Sequence, residues 1–343
     1  MHRNFLRIAP PRRRFALLCA AFLGAALPAA HASAAASPGF DVKRPEIQAF
    51  IAEQVKAGGD AAALSALLAS AVPQPKIVEA MEKPAEKALQ WYEYRARFLT
   101  DERINAGVAL WREHRELLEA VEAREQVSPQ YLLAVIGVET FYGRITGRYR
   151  VLDALATLAF DYPPRKDYFR AELAQFVKLC NEEKFDPHTL LGSYAGAMGV
   201  AQFMPSSYRQ YAINQDGSPA RDLWRDWGDI FGSVAHYLHQ YGWQFGAPVM
   251  AGTRYMGDTP PELPAAFTLN DTVGKLGERG FIIDTSLPAE TPAALVAAPE
   301  ATQSAWRVGF RNFYVITRYN RSPLYAMAVN DLAEAILLRF NQP

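Results

Sequence analysis

The chain has 343 residues, half of them hydrophobic, and its 36 basic residues balance 36 acidic ones. That length allows two or three folded units around a sizeable core. The basic residues are scattered, which argues against nucleic acid as a partner, and after the first 32 residues no apolar stretch is long enough to span a bilayer.

Residues 1–32 read as a secretory signal peptide. Arg3, Arg7, Arg12, Arg13 and Arg14 form the basic start, FALLCAAFLGAALPAA the apolar stretch, and Ala30-His31-Ala32 a small-residue cleavage site. Arg12-Arg13-Arg14-Phe15 also fits the start of a twin-arginine signal, but with no cofactor implied, ordinary Sec export is the default. Leu17-Leu18 precede Cys19 where a lipoprotein signal would carry small residues, so Cys19 is read as discarded rather than acylated. Cleavage leaves 31 basic against 36 acidic residues, a mildly acidic chain whose one cysteine, Cys180, has no partner for an intramolecular disulfide.

A short leader (33–38) is followed by helical patterns over Pro45–Ala71, Lys76 to about Tyr94, and Arg103–Arg124. Next comes a helix that opens on Ser128-Pro129, an N-cap followed by proline at the first helical position. It runs through PQYLLAVIGVETFYG to a stop at Gly143. Leu132, Val135, Ile136 and Glu139 recur at helical spacing, so the carboxylate of Glu139 points toward the expected core. Desolvation there disfavours the charged form, and so does the negative end of the helix dipole. Both would keep the carboxyl protonated nearer to neutral pH, as a general acid needs. The alternative is a structural glutamate bonded to a loop amide or to Arg144.

Gly192 to Tyr211, GSYAGAMGVAQFMPSSYRQY, packs small residues around Gln202. Small residues let a backbone approach something closely, either a sugar or another helix. Beyond Tyr241 glycine, proline and threonine increase. Trp306–Phe310 and Phe313–Arg318 carry strand-like residues, and Ala326–Phe340 returns to a helix.

Four ordered segments resemble the membrane-bound lytic murein transglycosylase B family, within the lysozyme-like lytic transglycosylases. They are VIGVETFYGRITGRYRVLDALATLAFDYPPRKDYF from Val135, GSYAGAMGVAQFMPSSYRQYA from Gly192, DLWRDWGDIFGSVAHYL from Asp222 and FYVITRYNRSPLYAMAVNDLAEAI from Phe313. The resemblance implies an α+β fold, mainly α. A lysozyme-like core (121–241) would be flanked by a helical subdomain (39–120, completed by 320–343) and a small β subdomain (242–319). It also implies a periplasmic enzyme that acts on peptidoglycan glycan strands, with cell-wall synthesis or division proteins as further candidate partners.

Glu139 would be the catalytic residue by resemblance. Ser193, Gln202, Phe203, Tyr237, Tyr319 and Asn320 would line the glycan groove, and Arg165 and Tyr168 would extend it beside the peptide stem. Hydrolytic glycosidases use two carboxylates. Here Asp153 and Asp161 read as structural, and the resemblance implies that one carboxylate suffices, with the C6 hydroxyl of muramic acid as acceptor. A hydrolytic muramidase and a non-catalytic peptidoglycan-binding scaffold are the rival readings. One departure is Pro164, which stands where the family often carries the first of two arginines. No cofactor is required. Family members carry a calcium loop at the place of Asn214, Asp216, Ser218 and Ala220, closed by Asp222 or Asp229. With Asn214 and Ser218 neutral, the expectation is a weak calcium site at most, or a polar surface turn.

Overall fold

The N-terminal helical patterns divide into shorter helices, the first of them at a glycine and a capping aspartate. In the computed structural model, which describes residues 39–342 except 83–88, 216, 218–219, 258–262, 264–266 and 302–304, the first pattern splits into α1 (Pro45–Lys56) and α2 (Ala61–Ser70). Gly58 takes a left-handed φ of 93° between them, and Asp60 caps α2 by accepting from the Ala63 amide at 2.9 Å. The second pattern gives α3 (Pro75–Glu82) and α4 (Trp91–Phe98). The third breaks at His114 into α5 (Asp101–Glu113) and α6 (Arg115–Glu125). The expected signal peptide and Cys19 lie outside the described residues.

α7 (Pro129–Thr140) and α8 (Val151–Asp161) form the centre. α8 buries every residue from Val151 to Phe160, and α7 is buried around almost its whole circumference. A helix apolar on all sides belongs in the middle of a fold. Around them lie α9 (Lys166–Glu183), α10 (Pro205–Tyr211) and α11 (Trp227–Gln240). Later in the chain come α12 (Val273–Glu278), α13 (Arg311–Tyr319) and α14 (Pro323–Phe340). α14 starts on a Ser322 cap with Pro323 behind it and packs along α7, α5 and α4.

The strands β1 (Tyr149–Arg150) and β2 (Leu191–Gly192) make a short antiparallel ribbon. A five-stranded antiparallel sheet consists of β3 (Met250–Tyr255), β4 (Asp271–Thr272), β5 (Phe281–Ile283), β6 (Pro292–Ala297) and β7 (Trp306–Gly309). Its order is β4-β6-β7-β3-β5, with Met250 opposite Gly309 and Leu295 opposite Val308. Leu276, Phe281, Ala293, Leu295, Val308 and Phe310 form a small core of their own on it.

The strand expected at Phe313–Arg318 is instead the body of α13. Its β-branched and aromatic residues are placed by burial: Phe313, Val315 and Ile316 face the main core, which overrides their strand propensity. Cys180 is buried, and burial pushes its thiol up to about 12, so it is inert.

Candidate active site

Three consecutive left-handed residues end α7. Phe141 and Tyr142 take φ values of 51° and 58°, and Gly143 comes next at 83°. The helix thus stops at Thr140, three residues before the glycine expected to end it. Two non-glycine residues in this region are strained unless their surroundings hold them. Tyr142 is held: its ring folds back under the helix, and its hydroxyl donates to the Arg103 carbonyl at 3.0 Å. A Cβ built on Gly137 would sit 2.7 Å from that hydroxyl, so glycine is required at this point of α7. Thr140 completes the turn. Its hydroxyl donates to the Val200 carbonyl at 2.9 Å and accepts from the Gly143 amide at 3.0 Å. The helix carrying Glu139 is thereby tied to the glycine-rich segment carrying Gln202.

Glu139 does not point into the core. It is the partly exposed position of an otherwise buried helix end and lines a cavity of about 610 Å³. The wall is made by Arg144 to Tyr149, Ser193, Tyr194 and Gln202. Among the described residues lining this cavity, Glu139 is the one carboxylate. The hydroxyl of Tyr325, in the first turn of α14, donates to Glu139 Oε1 at 2.7 Å. Burial, and then the negative charge of Glu139, holds the Tyr325 phenol well above its ordinary range, so it remains a donor. Such a bond favours the ionised carboxyl, the opposite sense to desolvation and the helix dipole.

The two acids considered as partners are committed elsewhere. Asp153 accepts from the Val72 amide at 2.8 Å and from Arg150 at 2.5 Å, and Asp161 pairs with Arg44 at 2.8 Å.

The other expected site residues divide into three groups. Ser193 and Gln202 share the cavity with Glu139. The Ser193 hydroxyl oxygen accepts from the Ala195 and Ala197 amides, which leaves its proton to donate. Gln202, at φ 51°, directs its amide nitrogen to the carbonyls of Thr146 (3.0 Å) and Gly199 (2.9 Å), so only its amide oxygen can serve a ligand. Phe203 and Tyr237 lie beneath the groove, 2% and 6% exposed, and do not offer faces to a sugar. Phe203 packs 5.6 Å from Tyr237 and 5.7 Å from Tyr319. Tyr319 is partly exposed, donates to the Ala201 carbonyl at 2.6 Å and stacks on Tyr325 at 6.5 Å. The aromatic layer thus supports Tyr325 from below. Asn320 is partly exposed and accepts from the Ser322 amide at 3.0 Å. Arg165 and Tyr168 are exposed and stacked on one another at 4.5 Å, outside the cavity wall.

The glycine-rich segment does come close to something, but that something is the protein's own backbone. A Cβ on Gly199 would meet the Leu223 carbonyl at 2.5 Å, and one on Gly147 would meet the Gly192 carbonyl at 2.0 Å.

The sequence profile of the transglycosylase SLT domain matches residues 42–334. The chain belongs to this family. It is 37% identical over 306 residues to membrane-bound lytic murein transglycosylase B of Escherichia coli (strain K12), covering 86% of this chain and 83% of the relative. Lytic transglycosylase SltB1 of Pseudomonas aeruginosa is 41% identical, with a TM-score of 0.82 over 87% of this chain and 98% of that one. Escherichia coli lytic transglycosylase Slt35, solved in complex with calcium, is 37% identical, with a TM-score of 0.81 over 89% and 97% of the two chains. The fold is therefore the lysozyme-like fold of the lytic transglycosylases, mainly helical with a small antiparallel sheet.

In this transglycosylase two positioning residues escaped the sequence reading. Tyr325 sits in the fourth of the family-like segments, where Ser322-Pro323 signals a helix start that puts it in the first turn. Thr140 follows Glu139 directly and gave no signal beyond being a polar residue on a buried face.

The loop expected to hold calcium is only partly described, since Asp216 and Ser218 lie outside the described residues. Asp229 is fully buried at the start of α11. Its two oxygens accept from the amides of Gln215 (2.6 Å) and Asp222 (2.8 Å). Asn214 Oδ1 accepts from the Gly217 amide at 2.5 Å, and Ala220 is partly exposed at the end of the loop. Asp222 Oδ1 accepts from the Trp224 and Arg225 amides. Most of these acceptors therefore brace the loop, and a cation would compete with backbone amides for them. Among the described residues no three His, Cys, Asp or Glu side chains converge on a metal position. No single helix there is long and apolar enough to cross a membrane.

Proposed function

We propose that this chain cleaves the β-1,4 bond between N-acetylmuramic acid and N-acetylglucosamine in peptidoglycan and closes a 1,6-anhydro ring. The observation that carries the reading is one carboxylate, Glu139, in a groove whose other wall residues are neutral or basic. Glu139 protonates the glycosidic oxygen as the bond to the anomeric carbon breaks. The substrate's acetamido group shelters the oxocarbenium-like centre. The C6 oxygen then bonds the anomeric carbon and returns its proton to Glu139, so the acid is regenerated and no water is consumed. Tyr325 fixes the orientation of the carboxyl through both steps, while Ser193 and the Gln202 oxygen serve hydroxyl and acetamido groups. Arg165, Tyr168 and Asn320 extend the surface along the same strand. The relatives' shared name, lytic transglycosylase, supports this acceptor over water. Mass spectrometry of the products tests it, because anhydro ends weigh one water less than reducing ends. Reducing ends alone would make the enzyme a muramidase, and no cleavage by folded protein would leave the scaffold reading.

The same reading takes residues 39–120 with 320–343 as a helical arm and 242–319 as a β arm around the catalytic core. It places the mature protein in the periplasm from about Ser33, with no lipid on Cys19, which intact mass of the processed protein would check. Weak calcium binding at Asn214, Asp216, Ser218, Ala220 and Asp229 would be a stabilising accessory with no step in the reaction. Calorimetry on chelated protein tests that, and micromolar affinity with a clear rise in Tm would refute it.

A further inference from the structure

On the other side of α14 lies a second polar recess, of about 420 Å³. Asp331 on α14 is buried and bridges two guanidiniums: Arg307 of β7 through both of its oxygens (2.5 and 3.0 Å) and Arg95 Nε of α4 at 3.2 Å. Arg95 is anchored by that one nitrogen. Its side chain is 48% exposed, and its two terminal nitrogens make no hydrogen bond to a described residue. A guanidinium held at Nε presents the fork that matches a carboxylate. Leu99, Met250, Ala335 and Leu338 provide an apolar floor beside it, and Leu338 is 67% exposed there. Asn330, 2% exposed, also belongs to this wall. It donates to Glu334 at 3.0 Å, but its Oδ1 meets no donor among the described residues. A buried acceptor of that kind needs a partner, and a peptide N–H is one.

We propose that this recess binds the free carboxylate end of a peptide with a small apolar last residue, the chemistry of a peptidoglycan stem peptide. The choice of a wall peptide rests on the function proposed above; the carboxylate chemistry does not. The position says which peptide. Tyr325, which touches Glu139, and Glu334 are nine residues apart. That is about two and a half turns, so they lie on opposite faces of α14, separated by roughly 13 Å along its axis. The recess thus opens on the other side of α14 from the cavity that holds Glu139. The occupant is therefore not the stem on the sugar being cleaved. It is a stem from another disaccharide, and the recess acts as a second hold on the wall.

The test uses the full mature chain and N-acetyl-D-alanyl-D-alanine, with its C-terminal amide as control, in an NMR titration that requires no turnover. The acid should bind about tenfold or more tightly than the amide, the equivalent of one charge-assisted contact. Arg95→Gln should abolish that preference; Arg307 still pairs with Asp331 in this variant, so the fold keeps its ion pair. Leu338→Glu, at an exposed position, should weaken the acid and spare the amide. Equal binding of acid and amide, no binding, or an unchanged Arg95→Gln would overturn the proposal. In a Glu139→Gln background, Arg95→Gln should also lower retention on intact sacculi but not on sacculi stripped of their peptides. Equal retention on both would refute a wall-bound occupant. A failure of the catalytic reading would appear instead in the product masses and would leave these titrations unchanged.

Discussion

Helix α14 meets a carboxylate on each of two faces, and the two are built differently. On one face Glu139 accepts from the neutral phenol of Tyr325, on a helix end opened to a groove. On the other, Asp331 is fixed between two guanidiniums. A phenol orients a carboxyl without adding charge, which suits the proton transfers proposed for Glu139. Asp331 instead ties α14 to α4 and β7. The same helix thus keeps the proposed acid and the braced ion pair on different faces.

Glu139→Gln should break the comparison most severely. It should leave the melting temperature essentially unchanged and lower turnover on purified murein by roughly 10²–10⁴-fold or more, since one group serves as both acid and base. Retention of more than about a tenth of the activity would remove Glu139 from the mechanism. Asp331→Asn should show the reverse pattern. Breaking a buried pair costs about 3–5 kcal/mol when a buried partner is stranded, and the lower figure applies here because Arg95 is half exposed. Thermal unfolding would measure the loss, and an unchanged Tm would mean that the ion pairs contribute little.

Tyr325→Phe sharpens the catalytic end. A hydrogen bond to a charged group is worth about 1.5–3 kcal/mol, so kcat should fall about tenfold to a hundredfold with little change in KM. The alkaline limb of the pH–rate profile, where the acid ionises, should shift upward, because the bond that favours ionised Glu139 is lost. A variant that merely unfolds would show neither signature. Glu334→Gln should have the smallest effect. Desolvation raises the Glu334 carboxyl, with Asp331 adding to the shift, so the folded state holds its proton to higher pH than the unfolded chain does. Its charge therefore weakens the fold as pH rises through the folded value. The variant should be slightly more stable than the parent at neutral pH, with the gain gone by about pH 4, below the ordinary carboxyl value. A gain that persists in acid would point to packing instead.

The catalytic end was partly legible in the sequence. Spacing placed Glu139 on a helix bounded by Ser128-Pro129, and that helix exists as α7. Period alone could not reveal that the helix is buried nearly all round, so that Glu139 marks an opening and not the core. Phe203 and Tyr237 were named for the motifs around them, but an aromatic ring in sequence carries no sign of whether its face meets sugar or protein. α13 was misread as a strand because Phe313, Val315 and Ile316 have strand propensity that packing overrides. Tyr325 and Thr140 act through contacts to residues 186 and 60 positions away, a distance no local pattern spans.

The central claim is that one carboxylate delivers the substrate's own hydroxyl to the anomeric carbon. Digesting murein in water enriched in heavy oxygen, and weighing the muramic ends, tests it most directly. Anhydro ends with no heavy oxygen incorporated are the expected product. Ends that gain one heavy oxygen at the anomeric carbon as their primary product would contradict it.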